Sequence, residues 1–92
     1  MEDTRLIQRL RRHSRAALED AIRRYTSYVS VTVWRTLSAG GSASREDVEE
    51  VVSDVFLSLW EHAGELRAGS DLRPWLGAVA RNKAIDRLRR AP

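Results

Sequence analysis

The chain has 92 residues and no cysteine. That allows one small domain, residues 1–92, with a modest core, and it excludes a disulfide framework, a thiol nucleophile and a thiolate metal site. The net charge is only +3, but positions 46–65 carry acids alone, whereas Asp86 is the one acid among the six bases of positions 73–90, so either two partners are engaged or both runs are solvated helix faces.

Asp3 or Thr4 caps a first helix running to about residue 13. Its Leu6, Ile7 and Leu10 form a narrow apolar edge, while Arg5, Arg9, Arg11 and Arg12 face water. Ser14 caps a second helix with Ala17, Leu18, Ala21, Ile22, Tyr25 and Val29 on its buried side. Residues 28–34, YVSVTVW, alternate apolar and polar and are rich in β-branched types, a pattern that also suits a strand. Helix is expected to continue to about Leu37, because no turn residue interrupts it and no second strand candidate exists to pair with this one. The run 39–42, AGGS, then ends the helix in a flexible loop.

The third helix, residues 47–63, organises the rest. Val48, Val51, Val52, Val55, Phe56, Leu59, Trp60 and Ala63 recur at spacings of three and four and form a core stripe. Glu46, Glu49, Glu50, Asp54 and Glu61 lie opposite, with Ser53 and Leu57 among them. Ser44 is its N-cap, Asp47 sits in a capping-box-like position, and the acidic first turn suits the helix dipole. Leu57, apolar on an acidic surface, either centres a protein interface or is an ordinary exposed leucine.

Residues 64–71 connect to the last helix and include Arg67 as a lone cation. Asp71 caps that helix and Pro74 sits in its first turn. Leu72, Trp75, Leu76 and Val79 begin its buried face, a line then interrupted by Asn82 and Asp86. Arg81, Lys83, Arg87, Arg89 and Arg90 suit phosphates or guanine edges. Trp75 either joins the core beside Val79 or stacks on an unpaired base. Catalysis has little support: His13 and His62 lie in different helices without a partner at ligand spacing, and no phosphate-binding glycine loop is present, so neither metal nor cofactor is expected. No stretch approaches the ~20 apolar residues that span a bilayer, and no signal-peptide run is present, so a cytoplasmic protein is expected.

In this order the pieces resemble region 2 of a bacterial sigma factor of the sigma-70 family, extracytoplasmic-function type. SREDVEEVVSDVFLSLWEHA, residues 44–63, is similar to that family's core-binding helix. RPWLGAVARNKAIDRLRR, residues 73–90, is similar to its promoter-reading helix, and AALEDAIRRYTSYVSVTVWRTL, residues 16–37, to the long helix before them. The resemblance implies an all-α, compact bundle of about four helices that is not an enzyme. It implies docking on the clamp helices of the largest catalytic subunit of core RNA polymerase and capture of the melted non-template strand of the minus-ten element.

By the same resemblance Asp47, Glu50, Ser53, Asp54 and Leu57 face the polymerase, Ser53-Asp54 standing where many relatives carry Gln-Glu. Arg67, Ala68, Gly69, Ser70 and Asp71 lie in a loop that forms a pocket for a flipped base. Arg73, Trp75, Arg81, Asn82, Lys83, Arg87 and Arg90 lie along the DNA. The second, minus-thirty-five-reading domain of a complete member is absent, and the chain is expected to be an excised domain. Two rivals stand beside this reading. One is an interaction module that binds polymerase or an anti-sigma factor without touching DNA. The other is a basic amphipathic helix on anionic membranes, disfavoured by Asn82 and Asp86 in its apolar line.

Overall fold

The computed structural model describes residues 3–41, 43–67 and 71–90. Four α-helices follow one another: α1 (Thr4–Arg11), α2 (Arg15–Ala39), α3 (Arg45–Glu61) and α4 (Leu72–Arg90), with a single 3₁₀ turn (Ala63–Glu65) after α3. The fold is an all-α bundle. Among the described residues there is no strand, so residues 28–34 are helical.

The reason lies in the core. Ala17, Ala21, Tyr25, Val29, Val33 and Leu37 are all buried, one per turn along a single side of α2, while the residues midway between them, such as Val31, are exposed. The β-branched polar residues between them are accommodated by back-bonding: the Thr32 hydroxyl donates to the Tyr28 carbonyl at 3.0 Å and that of Thr36 to the Thr32 carbonyl at 2.9 Å. With 25 residues α2 extends about 37 Å at ~1.5 Å per residue, close to the 40 Å long axis of the molecule. It is the spine against which α1, α3 and α4 all pack.

Local caps set the helix starts. The Ser14 hydroxyl accepts from the Ala17 amide at 3.2 Å, and the Ser44 hydroxyl from the Asp47 amide at 3.1 Å. At the end of α2, Gly40 bonds back to Leu37 and Thr36, and Gly41 takes φ 77°. The first helix stops at Arg11, short of His13, which turns to φ 57° and sets its ring 4.4 Å from that of Trp60, edge to face. Arg9 and Arg11 do more than face water: Arg9 pairs with Asp20 at 2.8 Å, and Arg11 donates to the Leu66 carbonyl.

Three features of the core depart from the sequence expectation. Ile22 is exposed and Leu18 half-buried, because the buried line of α2 turns away from them towards Tyr25 and Val29. Leu66, inside the expected connection, is buried. On α4 the core line does not break after Val79 but runs through Leu72, Leu76, Ala80 and Ala84, with Gly77 buried beside it. Small residues carry little hydropathy signal, yet they let α4 approach α2: a Cβ on Gly77 would overlap the Tyr28 hydroxyl. Tyr28 against Gly77 and Gly40 against Leu88 show that α2 and α4 run parallel.

Candidate protein and nucleic-acid interfaces

Ser53, Leu57, Glu50, Asp54 and Asp47 occupy a sector of about 120° on α3 at ~100° per residue. The structure therefore brings the five expected polymerase-facing residues onto one face. On one side of that face lies a groove of ≈ 600 Å³ between α2 and α3, lined by Leu18, Ile22, Val52, Ser53, Phe56 and Leu57 among others. Leu57 is 54% exposed at its rim. An apolar trough bordered by Glu49 and Ser53 has the composition of a protein-docking centre with a polar edge.

The other side of the face is already engaged. Arg87 of α4 donates to Asp47 at 2.5 Å and to Glu50 at 2.6 Å. The Glu50 hydrogen bond, with the Asp47 charge beside it, holds the Arg87 guanidinium above its ordinary pKa. A residue expected on the DNA side thus clasps two expected on the polymerase side. The Asp47 carboxylate, expected to complete a capping box, is turned to α4 instead.

The rest of α4 sorts by helical rotation. Trp75 and Asn82, seven residues apart, share a line, with Arg81 on one flank and Lys83 on the other at ~100° per residue. Lys83, Arg87 and Arg90 share the flank towards α3, while Arg73 and Arg81 share the flank towards α2. Arg73 is exposed, and its guanidinium stacks 4.5 Å above the Tyr28 ring. Arg89 lies 4.0 Å from Asp86, an exposed pair.

The start of α4 is fastened twice. Asp71 caps it as the sequence suggests, accepting from the Arg73 amide at 3.0 Å. The second cap comes from the far end of the chain. Asp3 holds the N-cap position of α1 by its carbonyl, which accepts from the Ile7 amide at 2.7 Å. Contrary to the sequence expectation its side chain does not cap α1; 2% exposed, it accepts from the Leu72 amide at 3.0 Å, the Tyr25 hydroxyl at 2.5 Å and Arg24 at 2.7 Å. Burial alone would push the Asp3 carboxyl up, but the bonds from Tyr25, Leu72 and Arg24 outweigh it and hold the group below its usual range. Tyr25 is driven upward by burial and by the Asp3 carboxylate.

Beside this double cap is a cavity of ≈ 480 Å³ lined by Ile7, Glu65, Leu66, Arg67, Asp71, Leu72, Pro74 and Trp75. Trp75 is half-buried, packed on the core and exposed to this cavity along its wall. Ala68, Gly69 and Ser70 of the expected base pocket lie outside the described residues. Asp3, Tyr25 and Tyr28 were missed in the sequence. Only spatial proximity links them to α4, and no local spacing signals it.

His62 bonds through Nδ1 to the Ser58 carbonyl at 3.0 Å. Among the described residues no group of three or more His, Cys, Asp or Glu could hold a metal ion, and no helix is long and apolar enough to cross a membrane.

An apolar-acidic helix face beside a groove is set on the same small bundle as a cavity walled by Trp75 and lined by Arg67, Glu65 and Asp71. The family described as sigma-70 region 2 matches residues 21–91, and the chain belongs to that family. Its members serve transcription initiation, acting with core RNA polymerase in promoter melting, and form no known enzyme family. Comparison with curated proteins and with solved structures returned no match.

Proposed function

We propose that this domain is a region 2 of the extracytoplasmic-function type, working in the cytoplasm. Its α3 face docks on the clamp helices of the largest polymerase subunit, and α4 with the preceding loop holds the melted non-template strand of the minus-ten element. The observation that carries the reading is the ≈ 480 Å³ cavity at the double-capped start of α4, with Trp75 in its wall and Arg67 and Asp71 beside it. Its volume is that of an ordinary small-ligand site, and an aromatic wall suits an unstacked base.

In this reading Ser53, Asp54 and Leu57 meet the polymerase together with the α2–α3 groove, a surface that an anti-sigma factor would compete for. Arg67, Ala68, Gly69, Ser70 and Asp71 surround the flipped base. Asn82 reads a base edge, and Arg73, Arg81, Lys83 and Arg90 contact phosphates. Arg87 braces α4 on Asp47 and Glu50 rather than reaching for DNA. Strand opening follows because the domain binds unpaired bases better than duplex.

The test is a titration of the chain against core polymerase with wild type and Asp54→Lys. Saturable binding that the substitution weakens, with the fold unchanged by circular dichroism, is the expected result. Equal affinities would remove the α3 face from the interface.

A further inference from the structure

We propose that the seam between α2 and α4 is a second backbone-binding site for the same nucleic-acid strand, carrying it from α4 onto the outer face of α2. The inference rests on the DNA reading of α4 and adds Arg24, Tyr28, Trp34 and Arg35 to it.

Between the two parallel helices runs a depression of ≈ 550 Å³, whose lining includes Arg24, Tyr28, Val31, Arg35 and Arg73 and contains no carboxylate. A neighbouring hollow of ≈ 320 Å³ adds Asp71 at the start of α4, where one carboxylate oxygen is committed to the Arg73 amide. Arg24 is half-committed to Asp3. Arg35 and Arg73 make no ion pair among the described residues, so two full positive charges face solvent here uncompensated.

The site is also shaped. Gly77 makes room for the hydroxyl end of Tyr28 against α4, and the Arg73 guanidinium carbon sits 4.5 Å over its ring. Arg73 is exposed and its guanidinium makes no ion pair among the described residues, so its planar fork of donors is open to a phosphate. Next to Arg35 on the outer side of α2, Trp34 is 55% and Val31 46% exposed. An exposed tryptophan beside arginines is what strand-binding surfaces use, a base stacking while the backbone is neutralised.

Continuity fixes the occupant. Arg81 lies about two turns beyond Arg73 and ~80° round α4 at ~100° per residue, so cations step from the Trp75–Asn82 line, which Asp86 ends, towards this seam. From Arg24 to Arg35 the stripe is about 16 Å long at ~1.5 Å per residue, room for about five stacked nucleotides at ~3.4 Å each.

The test uses the full chain bound to core polymerase and two labelled single strands, one covering the minus-ten segment alone and one extended by about five nucleotides at each end. Arg35→Glu is expected to weaken the long strand about tenfold and leave the short one unchanged, and Arg35→Ala to reduce the salt slope for the long strand by ~0.7. Equal affinity of wild type and Arg35→Glu for the long strand, with Arg81→Ala still weakening both, would overturn the α2 site and leave the α4 reading standing. Binding of neither strand by wild type would overturn both. Displacement of the long strand by polyglutamate as readily as by unlabelled strand would assign the seam to an acidic peptide and sink the proposal.

Discussion

The two ends of α4 are fastened by different chemistry. At its start the Asp3 carboxylate, 2% exposed, is satisfied by three donors from two other helices. Towards its end Arg87 joins Asp47 and Glu50 on a surface that water reaches. A buried carboxylate with all its donors in place is rigid, because any movement leaves polar groups unpaired. A solvent-facing ion pair exchanges partners at little cost. The polar contacts at the start of α4, where the proposed base pocket lies, are therefore hard to exchange, and those of its clasp on α3 are easily exchanged.

The largest effect should come from breaking the buried end. Asp3→Ala strands the Tyr25 hydroxyl, the Leu72 amide and Arg24, and should cost about 3 kcal/mol in chemical denaturation. Next comes Asp71→Ala, which removes an exposed cap from the same helix end and should cost about 1 kcal/mol. A ratio near one between these two would show that burial adds nothing to the Asp3 cap.

The comparison sharpens with pH. Because the folded Asp3 carboxyl is held below the usual carboxylate range, its contribution is fully present above the unfolded pKa and is lost as pH falls through the folded one. Acid unfolding of Asp3→Asn should be correspondingly less steep below about pH 4. Smallest is Arg87→Ala, whose destabilisation should fall below that of Asp3→Ala and shrink as salt rises, whereas the Asp3→Ala loss should be nearly salt-independent.

What the sequence made legible follows the same division between local and distant contacts. Ser14, Ser44 and Asp71 were readable as caps because each bonds an amide two or three residues away. The pattern of residues 28–34 alone also suited a strand; helix was readable there because no turn residue interrupts it, no second strand could pair with it, and the stretch resembles the family's long helix. Asp3 was readable as the start of a helix but not as a cap on one that begins 69 residues later. Arg87 was readable as a cation but not as the partner of carboxylates 40 and 37 residues away. Gly77, Ala80 and Ala84 escaped notice because close packing by small side chains leaves little trace in a hydropathy pattern. The two candidate surfaces were thus visible as charge runs, whereas the clasp between them was not.

The most direct measurement is retention of a single-stranded minus-ten oligonucleotide by the polymerase-bound chain, comparing wild type with Trp75→Leu, which keeps an apolar side chain against the core but removes the ring from the cavity. The account predicts retention by wild type, a loss of about tenfold in the variant from lost base stacking, and unchanged affinity for the polymerase itself. Retention indifferent to Trp75, or none by wild type, would contradict it.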